Sequence, residues 1–239
     1  MVTKNQIKLV TSLQQKKYRT KHGLFVVEGI KTVDELIDAG YVAYGLFVNT
    51  DEMFQKYPEA KIVADDILKQ MSGQVNPSGV LGVFYIPKAQ KVGNHDWILA
   101  LDAVRDPGNL GTIIRLCDWF GIEDLVCSED TVDCFNPKVL QATMGSIARV
   151  NITYLDLGEF LHETSLPVYG AFMEGKSIYQ MILPKKGILV MGNEANGISM
   201  EIEKCIMEKV SIPQFGNQTA ESLNVATATA ILLNEIRRG

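Results

Sequence analysis

"WILALDAVRDPGNLGTIIRLCDWFGI" (Trp97 to Ile122) changes periodicity part-way along. "WILALDA" is apolar up to Asp102 and reads as a short buried strand. Pro107 and Gly108 then form a tight turn, and Asn109 reads as the N-cap of a helix. In that helix Arg115 stands between Ile114 and Leu116, with Ile113 and Trp119 nearby. The bland reading makes it solvent-facing or paired with a carboxylate. Its apolar neighbours argue for a guanidinium held as a clamp for phosphate or carboxylate.

The same alternation continues outward. "DLVCS", "VNITYL", "LPVYGAFM", "GILVMG" and "KVSIP" are further short apolar strands, most of them separated by helical stretches. This predicts an α/β domain with a mostly parallel sheet over residues 97–239. Before it, "PKAQKVGNHD" (Pro87 to Asp96) is polar, contains Pro and Gly, and reads as a linker over 89–96. Residues 1–88 carry "GLFVVEG", "YVAYGLFVN" and "VLGVFYI" as strands, and "IKTVDELIDAG" and "ADDILKQM" as helices. They predict a small α/β unit, opened by one helix over roughly Asn5 to Lys16.

The chain has 239 residues, 46% hydrophobic and 21% charged, ordinary for a folded domain or two. The amino terminus is polar, with no apolar segment behind it, and no apolar run is long enough to span a bilayer. The four cysteines form no CxxC pair and the three histidines are scattered. No metal site or disulfide framework is expected, and a reducing cytoplasm is the natural location.

Net charge is −5, which argues against a generic nucleic-acid binder, but the distribution is uneven. Residues 1–90 carry net +2 and residues 91–239 net −7. Lys4, Lys8, Lys16, Lys17, Arg19 and Lys21 fall within the first 22 residues, with no acidic residue among them. This is either a solvated helix face or an arm that contacts phosphates and releases their counterions. Lys16, Lys17, Arg19 and Lys21 are the RNA-binding candidates.

Ligands of open α/β sheets bind beyond the carboxyl ends of the strands. Two further strand ends carry unusual chemistry. "GILVMGNEANGIS" (Gly187 to Ser199) lacks the GxGxxG pattern and a phosphate-binding lysine, which excludes a P-loop and disfavours a nicotinamide oxidoreductase. It places Glu194 in a Gly-rich loop, where the alternative reading is an ordinary turn with a capping Asn. "VSIPQFGNQTAESLNVATATAILLNEIRR" (Val210 to Arg238) ends a strand, passes through a polar loop and enters a final helix near Ser222. Ser222 reads equally well as that helix's N-cap.

The order "NLGTIIR", "VMGNEANGIS" and "IPQFG…ESLNVATATAILL" resembles the three signature motifs of the SpoU (TrmH-type) RNA 2′-O-ribose methyltransferases of the SPOUT superfamily. "NPKVLQATMGSIARVNI" is similar to the segment that follows motif one in that family. "KYRTKHGLFVVEGIKTVDELIDAG" and "NPSGVLGVF" resemble the L30e-like substrate-binding domain often fused to it. Each motif alone is common; three in this order and spacing are specific. One departure is small: "NVATATAI" stands where "NVAVA" is usual.

The resemblance implies a 1–88 L30e-like RNA-binding domain and a 97–239 catalytic domain with a carboxy-terminal deep trefoil knot, a feature that pattern reasoning never proposes. It implies S-adenosylmethionine as methyl donor, no metal, RNA as partner with ribosomal RNA favoured over transfer RNA, and a homodimer with active sites near its interface. The motif residues that correspond are Asn109 and Arg115, Glu194, and Ser222 and Asn224. The cofactor would lie largely on backbone at Met191, Gly192, Ile212 and Leu223. The rival of another class is a non-catalytic RNA-binding ribosome-assembly protein of the same fold.

Overall fold

A computed structural model describes residues 2–216 and 221–238. In chain order its elements begin with α1 (Lys4–Ser12), α2 (Lys16–His22), β1 (Leu24–Glu28), α3 (Ile30–Asp38), β2 (Ala43–Val48), α4 (Asp51–Lys56), β3 (Lys61–Ile62), α5 (Asp65–Met71) and β4 (Val80–Tyr85). There follow β5 (Ile98–Leu101), α6 (Pro107–Phe120), β6 (Asp124–Ser128), α7 (Pro137–Thr143), β7 (Asn151–Leu155), α8 (Leu157–Glu163) and β8 (Val168–Ser177). The last are β9 (Ile188–Met191), α9 (Met200–Glu203), β10 (Glu208–Ser211) and α10 (Val225–Arg238).

Two compact units result: residues up to Lys88 with Asp133–Ala148, and Ala89–Val132 with Arg149 onward. In the first unit the sheet order is β1-β4-β2-β3, with β4 antiparallel to both neighbours and β3 parallel to β2. Val10 of α1, Leu13 just after it, and Leu68 and Met71 of α5 bury against Leu24, Val26, Phe47, Leu81 and Val83. The expected single opening helix is two helices. The Arg19 guanidinium takes the carbonyls of Leu13 (2.8 Å) and Gln14 (3.0 Å), which a continuing helix would use for its own ladder.

Residues 133–148, expected within the second domain, pack with the first unit. The Phe135 ring lies 4.5 Å from that of Phe25, and the Tyr41 hydroxyl donates to the Ile147 carbonyl at 3.3 Å. Asp133 accepts two hydrogen bonds from Arg19. Sequence periodicity carries no sign of such long-range pairing.

The second unit has the expected parallel sheet, in the order β10-β8-β9-β5-β6-β7, and every pairing in it is parallel. β5, β6 and β9 are buried along their whole length, as strands covered on both faces must be. Ile98, Ala100, Val126, Ile188 and Val190 pack under Leu157 and Leu161 of α8 and Ile202 of α9, while α10 packs against α6. β5 and β9 are neighbours with Leu101 opposite Met191, so the loops leaving them emerge side by side. The path that would define a knot runs through 217–220, outside the described residues. Among the described residues no helix is long and apolar enough to cross a membrane.

Candidate active site

The site begins where β5 ends. Asp102 is buried; its N–H donates to the Met191 carbonyl (2.9 Å) and its Oδ2 accepts from the Ser199 N–H (2.6 Å). Ala103 then adopts φ 58°, a left-handed conformation that costs a non-glycine residue about 1–2 kcal/mol. Two side chains hold it there. Its N–H donates to Ser128 Oγ (2.9 Å), and its carbonyl accepts from Asn193 Nδ2 (2.6 Å). The kink turns the backbone N–H groups of Arg105 and Asp106 toward the neighbouring loop.

α6 starts three residues earlier than expected. Asp106, not Asn109, is the N-cap: its Oδ1 accepts from the Asn109 N–H at 2.8 Å, with Pro107 in the first turn. Asp before Pro was the sequence signal for this. The consequence is that the Asn109 side chain is free to bridge. Its Nδ2 donates to Glu194 Oε1 (3.0 Å), and its Oδ1 accepts from Asn224 Nδ2 (2.8 Å). Asn224 Oδ1 in turn accepts from the N–H groups of Ala226 (3.0 Å) and Thr227 (3.2 Å), so Asn224, not Ser222, caps α10. A continuous chain Glu194–Asn109–Asn224 thus links one residue from each of the three motifs.

Glu194 also accepts from the backbone N–H groups of Arg105 (3.3 Å) and Asp106 (3.2 Å). Burial alone would push its carboxyl up. The donors of Asn109, its own loop, Arg105 and Asp106 outweigh that and hold it below the ordinary glutamate range. Asn193 shapes the loop: its Oδ1 accepts from Ala195 (3.0 Å) and Asn196 (3.1 Å), and it bridges to Gly197. A Cβ on Gly192 would lie 2.2 Å from the Gly197 carbonyl carbon, so only glycine permits the closure.

The other predicted residues fall as follows. Ser222 is exposed and is not part of this hydrogen-bonded chain. Arg115 is exposed, not buried among apolar neighbours; Ile113 and Ile114 face the core while Arg115 shares an outer stripe with Thr112 and Trp119, which is 83% exposed. It lies about 9 Å along α6 from Asn109 and about 240° around it. Among the described residues it has no ion-pair or hydrogen-bond partner. Met191 is buried at the end of β9, Ile212 follows β10, and Leu223 is half exposed. Among the described residues these loops offer backbone, glycine and apolar side chains with no phosphate grip. That donor set fits a nucleoside ligand that carries no phosphate.

In the first unit Lys16, Lys17 and Lys21 are exposed on α2, whereas Arg19 is only 2% exposed and paired with Asp133. Arg19 is therefore a bracket inside the unit, a correction to its assignment as an RNA contact. Arg105, Asp106, Asn193 and Ser128 are the residues that sequence reading missed. Among the described residues no group of three or more His, Cys, Asp or Glu is placed to hold a metal.

The three-motif geometry has counterparts. Residues 96–234 match the SpoU rRNA Methylase family, and residues 4–82 match the MRM3-like substrate binding domain. The chain belongs to the SpoU rRNA methylase family. It is 30% identical to the 23S rRNA (guanosine(2553)-2′-O)-methyltransferase of Bacillus subtilis, over 98% of this chain and 97% of that one. A solved structure from Porphyromonas gingivalis, assigned to the TrmH family of RNA methyltransferases, superposes with a TM-score of 0.92 at 39% identity, covering 100% of this chain and 99% of that chain. An rRNA methyltransferase from Sinorhizobium meliloti, solved with S-adenosylmethionine bound, gives a TM-score of 0.86 at 29% identity over 100% and 96% of the two chains.

Proposed function

We propose that this protein is an S-adenosylmethionine-dependent RNA methyltransferase that methylates a ribose 2′-hydroxyl in ribosomal RNA, acting in the cytoplasm as a homodimer. The observation that carries the reading is the Glu194–Asn109–Asn224 chain, which draws residues of all three motifs into one hydrogen-bonded unit. Ribosomal RNA is preferred because the Bacillus subtilis relative, similar over 98% of this chain, is named for it. The family's deep trefoil knot belongs to the same proposal. So does the assignment of residues 1–88 to RNA binding through Lys16, Lys17 and Lys21, and of 97–239 to catalysis.

When bound at Met191, Gly192, Ile212 and Leu223, the cofactor supplies an activated methyl group on a sulfonium. The protein's own task is mainly alignment. Glu194 accepts four hydrogen bonds, from Arg105, Asp106, Asn109 and Asn193, and is a weakened base, so its work is to fix Asn109. Asn109, held from both sides, presents an oriented amide to the ribose. Arg115 supplies a planar guanidinium that clamps the substrate phosphate beside the developing oxyanion. The hydroxyl proton leaves through phosphate or water. Arg115 and Trp119 lie on an open face of α6, where a second copy would bring Arg115 to its site; burying Trp119 is the gain that favours the pairing.

The test is methyl transfer from labelled S-adenosylmethionine to ribosomal RNA taken from a strain lacking the gene, with the modified position mapped. One 2′-O-methylated nucleotide is the expected result. Cofactor binding by calorimetry without transfer to any RNA, or RNA binding without cofactor binding, would favour the non-catalytic scaffold.

A further inference from the structure

A cavity of about 480 Å³ lies among the carboxyl ends of β5, β6 and β7 and the Asn193–Ser199 loop. It shares Arg105 and Asn193 with the Glu194 network, while none of Met191, Gly192, Ile212 and Leu223 lines it. It therefore borders the candidate active site without being the surface assigned to the methyl donor. Its volume lies within the usual range for small-ligand sites, roughly 300–1,000 Å³.

The lining is specific. Asp102 is 93% buried. Its Oδ2 accepts from Ser199, but its Oδ1 has no partner among the described residues. That oxygen is not fully enclosed, and as part of the cavity lining it is available to accept from an N–H donor of a ligand. Leu157 and Ile202, both buried, and Leu155 supply apolar walls. Glu129, Asp156 and Glu201 ring the exposed side. A phosphate would be repelled there, and Arg105, held by Asp130 at 3.2 Å, is the one cation in the lining. A flat, neutral group with apolar faces and adjacent N–H donors is what these residues accept together. Among the RNA bases only guanine offers two adjacent donors, N1–H and N2–H₂, to a single carboxylate.

We propose that this cavity receives the base of the target guanosine, turned out of its stack, and that Asp102 reads its N1–H and N2–H₂ edge. A nucleotide turned out of its stack exposes its Watson–Crick edge to a pocket of this kind. The proposal rests on the methyltransferase reading and specifies its substrate base.

The test has two stages. Ribosomal RNA from the gene-deleted strain is first methylated by the wild-type protein and the modified nucleotide is mapped; guanosine is expected. A short RNA spanning that position is then made with guanosine or with inosine, which lacks the N2 amine. Inosine is expected to lower kcat/KM about tenfold, the equivalent of one hydrogen bond. Asp102→Asn is expected to lower the guanosine value and bring the guanosine-to-inosine ratio close to one. A merely structural defect would lower both substrates alike and leave the ratio unchanged. Gly158→Phe is a second variant: the nearest atoms to a Cβ there are side-chain oxygens of Asp156 and Glu201, at 3.4 and 3.5 Å, an ordinary van der Waals approach. It should fill the cavity and raise KM for RNA while leaving cofactor binding intact. A target other than guanosine, equal use of inosine by the wild type, or an unchanged ratio in Asp102→Asn overturns the inference and leaves the methyltransferase reading standing. No transfer to any RNA overturns that reading, and this one with it.

Discussion

Arg19→Ala should cost about 3–5 kcal/mol of stability, the range for breaking a buried ion pair by removing one partner. The side chain is 3% exposed and its partner Asp133 15%. The guanidinium makes four hydrogen bonds: Nε and Nη2 to Asp133 Oδ2 at 3.0 and 2.5 Å, and Nη1 to the carbonyls of Leu13 and Gln14. Its loss strands a nearly buried carboxylate and two carbonyls at once. Domains of this size are stable by only about 5–15 kcal/mol, so the change is large. Urea unfolding of the full chain is the assay, with Lys16→Ala and Lys17→Ala as controls expected within about 0.5 kcal/mol of wild type. Arg19→Met combined with Asp133→Leu should regain most of the loss, because an apolar pair removes both charges together. It will still lack the Asp133 Oδ1 bond to the Phe135 N–H. If Arg19→Ala unfolds like wild type but binds RNA less well, the bracket role is wrong and Arg19 belongs to the RNA surface after all.

Four further outcomes are expected. Asn109→Ala should reduce methyl transfer about 10²–10³-fold, as loss of an oriented donor does, with unfolding shifted by less than about 1 kcal/mol. Glu194 should titrate below an ordinary glutamate in carbon-13 NMR, and Asn109→Ala should move it upward. The sign follows from the depressed folded-state pKa: the contribution of Glu194 to loop order is present above the unfolded pKa and is lost as pH falls through the folded one. Arg115→Lys should unfold within about 0.5 kcal/mol of wild type yet lose activity, since a point charge does not replace a planar fork. Trp119→Glu should sediment as a monomer where the wild type sediments as a dimer; unchanged sedimentation would remove α6 from the interface.

The strands of the second unit were legible because each is a short apolar run bounded by Gly, Pro or charge, and their observed counterparts β5 to β10 fall on those runs. β3 was not, since two residues carry no period. Motif residues were legible as chemistry but not as geometry. "DPGN" admits two N-caps, and only the backbone places the cap on Asp106 and frees Asn109 to reach Glu194. The apolar neighbours of Arg115 suggested enclosure, but helical rotation puts Ile113 and Ile114 on one side and Arg115 on the other. The basic cluster at the amino terminus is one feature in composition and two in space. Lys16, Lys17 and Lys21 stay in water, while Arg19 is drawn inward by an aspartate 114 residues away that no local pattern reveals.

That distant aspartate also sets a timetable. The ribosome releases the chain from its amino terminus, and Asp133, Phe135 and Ile147 are the last pieces of the first unit to emerge. Until Ala148 is clear of the exit tunnel, Phe25 lacks the ring that covers it and Arg19 lacks its counter-ion. By then β5, α6 and β6 are already outside. The amino-terminal unit, though begun first, is completed only after the parallel sheet has been started. A nascent chain arrested shortly after residue 88 would expose a half-dressed β1 to proteases and chaperones, whereas one arrested well past 148 would not.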